Sequence, residues 1–243
     1  MPHIATAANT AHTRRFAPLR ARGAALPIVM LMALLGVLLV LWAARAAFLG
    51  EAVVGNDADY QRALETAQAL VRDAQVDIEG LRPDGSPCKT GPAAGCRALA
   101  PEGPFFPQNG EDFNTLYALL AARKPSCLQG ICIADGVASQ FWSDAAAFAQ
   151  MVPLAARYGQ FTGAQQTQEG QEGGPVPAPP APQAWYWVEV LPFQISLSGG
   201  RAAALEPDAD RPYVYRITAI AKGRKPGTMA VVQAVFVWKA QDS

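Results

Sequence analysis

Histidine is almost missing from this chain of 243 residues: only His3 and His12 occur, both ahead of the long apolar run that begins near Gly23. Everything beyond that run therefore lacks the commonest neutral-pH general base and metal ligand. Ser139, Ser143, Asp135 and Asp144 form no recognised nucleophile motif, and turn or helix-cap roles account for them more economically. "GNDAD" makes no complete calcium loop, and Asn56 and Asp57 read instead as caps of a helical segment after Gly55. These absences argue for a protein that is not an enzyme and takes no cofactor. An anchored periplasmic binding or catalytic domain is the alternative from another class.

Charge is also sparse where it would matter. No Asp or Glu precedes the apolar run, whereas Arg14, Arg15, Arg20 and Arg22 do, so the short N-terminal tail is expected to stay cytoplasmic and the bulk of the chain to lie outside. Setting those four arginines aside from 20 Lys+Arg leaves 16 against 20 Asp+Glu, a mildly acidic exported part. No cluster of Lys and Arg exists outside the leader, which excludes a phosphate-backbone grip and makes nucleic acid an unexpected partner.

What is present begins with "RGAALPIVMLMALLGVLLVLWAA". Between Gly23 and Arg45 lies an uncharged stretch, residues 24–44, long enough as a helix to rise roughly 30 Å and cross a bilayer. A secretory signal core is shorter, about 7–15 residues, and this run continues past Arg45 instead of ending in a cleavage site. Pro27 suits a helix start just after Gly23. From Tyr60 the apolar positions Tyr60, Leu64, Ala67, Val71, Ala74 and Ile78 step by four and three, predicting an amphipathic continuation over residues 45–79. Asp59, Arg62, Glu65, Arg72, Asp73 and Asp77 are expected on its water-facing side. The two halves make one helix of roughly 55 residues, with a break or bend expected around Gly55.

Cys88, Cys96, Cys127 and Cys132 all follow the membrane segment, and an even number in an oxidising compartment favours disulfides. Their spacings suggest two local loops, "CKTGPAAGC" and "CLQGIC", although four cysteines permit three connectivities. Neither spacing fits the usual paired zinc knuckles. "EDFNTLYALLAARK" reads as a short helix with Leu116, Leu119 and Leu120 as contacts, and "SQFWSDAAAFAQMVPLAARYG" as another helical stretch. Residues 165–183 are polar, Gly-rich and Pro-rich, the composition of an exposed loop.

Beyond that loop "WYWVEVL", "FQISL", "YVYRITAIAKG" and "TMAVVQAVFVWK" are rich in aromatic and β-branched residues, with "RKPG" as a hairpin turn between the last two. Ala230, Val232, Ala234, Phe236 and Trp238 form an apolar alternate row suited to packing on the helix. The expected fold is α+β: a long N-terminal helix laid on a C-terminal antiparallel sheet.

The order of cationic leader, Gly23, apolar helix and amphipathic continuation resembles a type IV pilin precursor. "RGAALPIVMLMALLGVLLVLWAARAAFLGEAVVGNDADYQRALETAQALVRDAQ" is similar to the N-terminal region of the PilX family of minor pilins, with "GEAVVGN" followed by "ALETAQALVRDAQ" as the specific part. "YRITAIAKGRKPGTMAVVQAVF" resembles the family's C-terminal hairpin, while residues 80–183 carry no resemblance of their own. The resemblance implies a pilin-like fold and cleavage by prepilin peptidase between Gly23 and Ala24. It also implies N-methylation of Ala24, a stay in the inner membrane and then assembly into a pilus at the cell surface. The implied partners are other minor pilins, the major pilin, the peptidase and the inner-membrane assembly platform, with a tip adhesin as a further candidate.

One departure carries information. Major pilins commonly hold a glutamate at the fifth mature position, but Ile28 stands there. Without that carboxylate a neighbour's N-terminal ammonium stays unpaired in an apolar core, a costly arrangement to repeat along a shaft. An initiating or tip position is expected. The closest alternative is a pseudopilin of a type II secretion system. Glu51, Asp59, Arg62, Arg72 and Asp73 are candidate interface charges.

Overall fold

The computed structural model describes residues 25–88, 96–97, 103–133, 138–164, 183–193 and 206–239. The Gly23–Ala24 bond, Asp135, most of "FQISL" and nearly all of the Pro-rich stretch fall outside them. Two compact units divide the chain, Met1–Ala52 and Val53–Ser243.

Helix α1 is assigned without interruption from Ala25 to Glu79. Over residues 25–51 its side chains are exposed, Leu26, Ile28, Leu34, Leu41, Trp42 and Phe48 among them. Its most apolar window has a mean hydropathy of 2.7, and it is long and apolar enough to cross a membrane. Of the break or bend expected around Gly55, no break occurs. One glycine costs a helix only about 1 kcal/mol relative to alanine, and a Cβ at this position would meet only the flexible end of Lys225, its Nζ 2.9 Å away.

In the second unit the sequence alternation of the last strands produces a sheet, ordered β1-β2-β3-β4-β5. Its strands are β1 (Cys127–Leu128), β2 (Ile131–Ile133), β3 (Ala184–Pro192), β4 (Tyr213–Lys222) and β5 (Met229–Val237). The three long strands pair antiparallel, as expected. The sheet as a whole is mixed, because β2 joins β3 in parallel. β1 and β2 form a tight hairpin through Gln129 and Gly130, whose φ angles of 50° and 81° supply the two left-handed positions such a turn requires.

The pleat sends alternate residues to opposite faces. Tyr186, Val188 and Val190 of β3 and Tyr215, Ile217 and Ala219 of β4 share one core with Ala63, Ala67, Leu70, Ala74 and Ile78 of α1. On that side β5 contributes Ala230, fully covered, with Val232, Ala234, Phe236 and Trp238 half-buried beside it. Small residues on α1 let helix and sheet approach closely, and each large apolar side chain fully buried there stabilises by about 1.5–3 kcal/mol. Helix α2 (Gly110–Ala121) starts where Asn109 caps it, its side chain accepting from the N–H groups of Glu111 and Asp112. It adds Leu116 and Leu120 to this core, with Leu119 only half-buried.

The opposite face carries a second core. Trp185 and Trp187 of β3 and Ile220 of β4 meet Phe141, Phe148 and Met151, beside Cys127 and Cys132. The covering segment is a 3-10 turn (Phe141–Ser143), helix α3 (Ala145–Met151) and another 3-10 turn (Val152–Leu154). Because β3 is covered on both faces, its sequence reads as a nearly continuous apolar run rather than an alternation. Asp144 caps α3, its Oδ1 accepting from Ala147 N–H at 2.7 Å. Ser143 Oγ donates to the Gln140 carbonyl at 2.8 Å, and the two residues thus hold local structure.

Candidate functional site

The charged side of α1 does not all face water. Arg62, Glu65, Gln68 and Arg72 are exposed, but Asp59, Asp73 and Asp77 are buried at 2%, 4% and 4% exposure. Tyr60, expected inward, is 43% exposed. With 3.6 residues per turn, positions 59, 73 and 77 lie nearly in phase with Ala63, Leu70 and Ala74. The buried stripe is therefore turned by roughly 70° from the purely apolar one, toward the aspartates. Of the candidate interface charges Glu51, Arg62 and Arg72 remain exposed, while Asp59 and Asp73 are spent inside the head.

Each aspartate grips a different part of the head. Asp59 accepts from the backbone N–H groups of Arg224 and Lys225 at 2.9 and 3.0 Å, in the turn joining β4 and β5. Lys225 Nζ also donates to Asn56 Oδ1 at 2.8 Å, so Asn56 serves this turn rather than a helix cap. The turn takes its shape from Pro226 and from Gly227 at φ 87°, a type II arrangement. Gly223 must lack a side chain because a Cβ would collide with Asp59 Oδ2 and Thr228. The N–H donors from Lys225 and Arg224 hold the Asp59 carboxyl below its ordinary range.

Asp73 accepts from Gly159 N–H at 2.8 Å and from the Thr162 hydroxyl. Asp77 forms a two-point pair with Arg97, Nε to Oδ1 at 3.0 Å and Nη2 to Oδ2 at 2.8 Å, and accepts from the Tyr186 hydroxyl at 3.0 Å. Arg97 lies between two rings, 3.8 Å from the Phe161 centroid and 5.1 Å from that of Phe106. Its Nη2 donates in addition to the Gln129 carbonyl in the β1–β2 turn at 2.9 Å. Burial pushes the Asp77 carboxyl up, against the opposing pull of the Arg97 charge and of hydrogen bonds from Arg97 and Tyr186.

Two disulfides frame this region, Cys88–Cys96 and Cys127–Cys132. Among the described residues no group of three His, Cys, Asp or Glu side chains is placed to hold a metal ion.

Burial raises the Asp73 carboxyl from 3.8 to about 6, opposed by the Thr162 and Gly159 hydrogen bonds and helped by the Asp77 charge. Between those values the folded chain holds a proton that the unfolded chain has lost. The contribution of Asp73 is thus fully present below 3.8 and disappears as pH rises through 6. Going from pH 7 to pH 5 should stabilise the head by about 1 kcal/mol through this residue alone. Asp73→Asn should flatten that part of the profile in urea titrations at pH 5, 6 and 7; an unchanged slope would contradict the assignment. Asp59 acts oppositely, its stabilisation being lost only as pH falls below the ordinary carboxylate range.

A long N-terminal helix, apolar in its first half and clamped in its second to a β-sheet head, defines a type IV pilin-like subunit. The family model "Type IV pilus assembly protein PilX C-term" matches residues 94–238. The match covers more than half of the chain, which therefore belongs to the PilX family of type IV pilus proteins. The matched span takes in the middle of the chain, where the sequence alone showed no likeness, and leaves out the N-terminal helix that first suggested the family. No curated protein and no solved structure matches the chain.

Sequence reasoning missed the partners of the aspartates: Arg97, Thr162, Tyr186 and the 224–225 turn. The available signal was phase, since three acids recurring at helical spacing within a small-residue stripe cannot all reach water.

Proposed function

We propose that this chain is a minor pilin, a non-catalytic subunit that helps initiate type IV pilus assembly or sits at the pilus tip. The observation that carries the position is Ile28, where a shaft subunit would need a carboxylate to neutralise its neighbour's terminal amine. Family membership supports the pilus over the secretion pseudopilus, and the confinement of both histidines to residues 1–23 supports a structural role.

In this reading residues 1–23 are a cytoplasmic leader that prepilin peptidase removes at Gly23–Ala24, after which Ala24 is N-methylated. Residues 24–44 anchor the subunit in the inner membrane and later join the filament core. Residues 45–79 carry the amphipathic continuation, and residues 80–243 form a periplasmic head that meets other minor pilins, the major pilin, the assembly platform and a tip adhesin. Transfer from lipid to filament core keeps the apolar run out of water throughout.

The test is the N-terminal residue of the membrane-extracted protein, determined by mass spectrometry in cells with and without the peptidase. N-methylated Ala24 only when the peptidase is present is expected. An uncut start, or a cut after Ala44, would remove the assignment. Deletion should abolish surface pili; intact pili with lost enzyme secretion would instead place the chain in a secretion pseudopilus.

A further inference from the structure

We propose that the Cys88–Cys96 disulfide is a redox-controlled clip that seats Arg97 against Asp77 and so controls how firmly the last turns of α1 are held to the head. The geometry is sequential. Residues 80–88 fold back on the end of α1: Leu81 N–H donates to the Val76 carbonyl at 3.1 Å, and Cys88 N–H to the Gly80 carbonyl at 2.9 Å. Cys88 is thereby fixed to the helix end, and the disulfide brings the Cα of Cys96 within 5.8 Å of its own. Arg97 is the next residue, and one peptide step spans about 3.8 Å. The covalent bond thus confines the backbone of Arg97 beside the helix turn that carries Asp77. Among the described residues, the other contacts of Arg97 are made through its side chain.

The opposite wall of the seat is fixed independently. Gln129, whose carbonyl accepts from Arg97, lies in the turn of the β1–β2 hairpin, and Cys127 and Cys132 pair directly across that hairpin. The two disulfides differ in exposure. Cys127 and Cys132 are both 0% exposed, whereas Cys88 and Cys96 are half-buried. Access governs which disulfide a thiol reaches, so a dithiol reductant should open Cys88–Cys96 while leaving the hairpin bond closed. In that exchange one thiolate of the reductant attacks one cysteine sulfur, forming a mixed disulfide and expelling the other cysteine as a thiolate; the reductant's second thiol then attacks its own bound sulfur and expels the remaining cysteine. The reductant leaves as a disulfide, and its two electrons and two protons end on the thiols of Cys88 and Cys96.

Opening the clip releases Arg97, and Asp77 is left inside the head with Tyr186 as its remaining side-chain partner and Asp73 one helical turn away. The consequence should be local to α1. The test uses the full-length chain in detergent micelles: wild type, Cys88→Ser/Cys96→Ser, Arg97→Met and the triple variant, followed by hydrogen exchange of peptides covering residues 70–79. The paired cysteine change and Arg97→Met should each speed exchange there by about tenfold or more, and the triple variant should exchange scarcely faster than Arg97→Met. Effects that multiply in the triple variant would show that the disulfide acts only by restricting the unfolded chain, and would overturn the proposal.

Brief dithiothreitol treatment of the folded wild type provides a measurement that does not depend on the variants folding. Alkylation should mark Cys88 and Cys96 before Cys127 and Cys132, with faster exchange at 70–79 appearing in step. Simultaneous labelling of all four cysteines, or early labelling with unchanged exchange, would sink the idea.

Discussion

Replacing Arg97 with methionine should lower the unfolding free energy of the head by about 3–5 kcal/mol, because it strands a buried charge rather than merely deleting a contact. Side-chain exposures of 8% for Arg97 and 1% for Asp77 leave water little access to either partner. Methionine keeps much of the aliphatic length between Phe161 and Phe106, so lost packing contributes little to the expected change. Adding Asp77→Asn should recover part of the loss, since a neutral amide costs less to bury than a lone carboxylate. Urea unfolding of the four variants in a double-mutant cycle measures the coupling. A loss below about 1 kcal/mol for Arg97→Met would mean that Asp77 finds another partner or stays protonated.

Trp187→Ala is the second large expected effect, again about 3–5 kcal/mol, but for a different reason. Trp187 is 1% exposed at the centre of the far-side core, edge-on to Phe141 at 4.9 Å between centroids. Its indole N–H donates to the Met151 carbonyl at 3.1 Å, tying the end of α3 to the sheet. Alanine leaves a cavity and strips that carbonyl of its donor. Trp187→Phe keeps most of the ring and loses chiefly the hydrogen bond, for which about 1–2 kcal/mol is expected. Hydrogen exchange should rise at residues 145–154 in both variants. If the Phe variant proved as damaging as the Ala variant, the indole N–H rather than ring packing would be the principal support.

The elements that were legible in the sequence share one property: their periodicity extends over enough residues to be recognised. The apolar run and its amphipathic continuation predicted α1, and the three long strands and the "RKPG" turn appeared where expected. β1 and β2, two and three residues long, are too short to show any alternation. The parallel pairing of β2 with β3 is a contact between distant segments that local pattern does not encode. The buried aspartates were hidden by the ordinary assumption that charge faces water. That assumption fails here because Arg97, Thr162, Tyr186 and two backbone N–H groups of the 224–225 turn replace the solvent. Gly55 looked like a breaker, yet one glycine weakens a long helix too little to interrupt it. The proposed peptidase site rests on the order of leader, glycine and apolar run.

The Asp59 latch joins residues 165 and 166 positions apart in sequence. The hairpin turn it needs is synthesised well after α1, since β4 and β5 follow α1 in the chain. Forming this latch requires closure of a long loop, the kind of non-local pairing that slows folding. Until Arg224 and Lys225 arrive, Asp59 lacks the two backbone N–H donors that they supply. The clamp that Asp59 places on α1 thus closes only once the β4–β5 turn has formed.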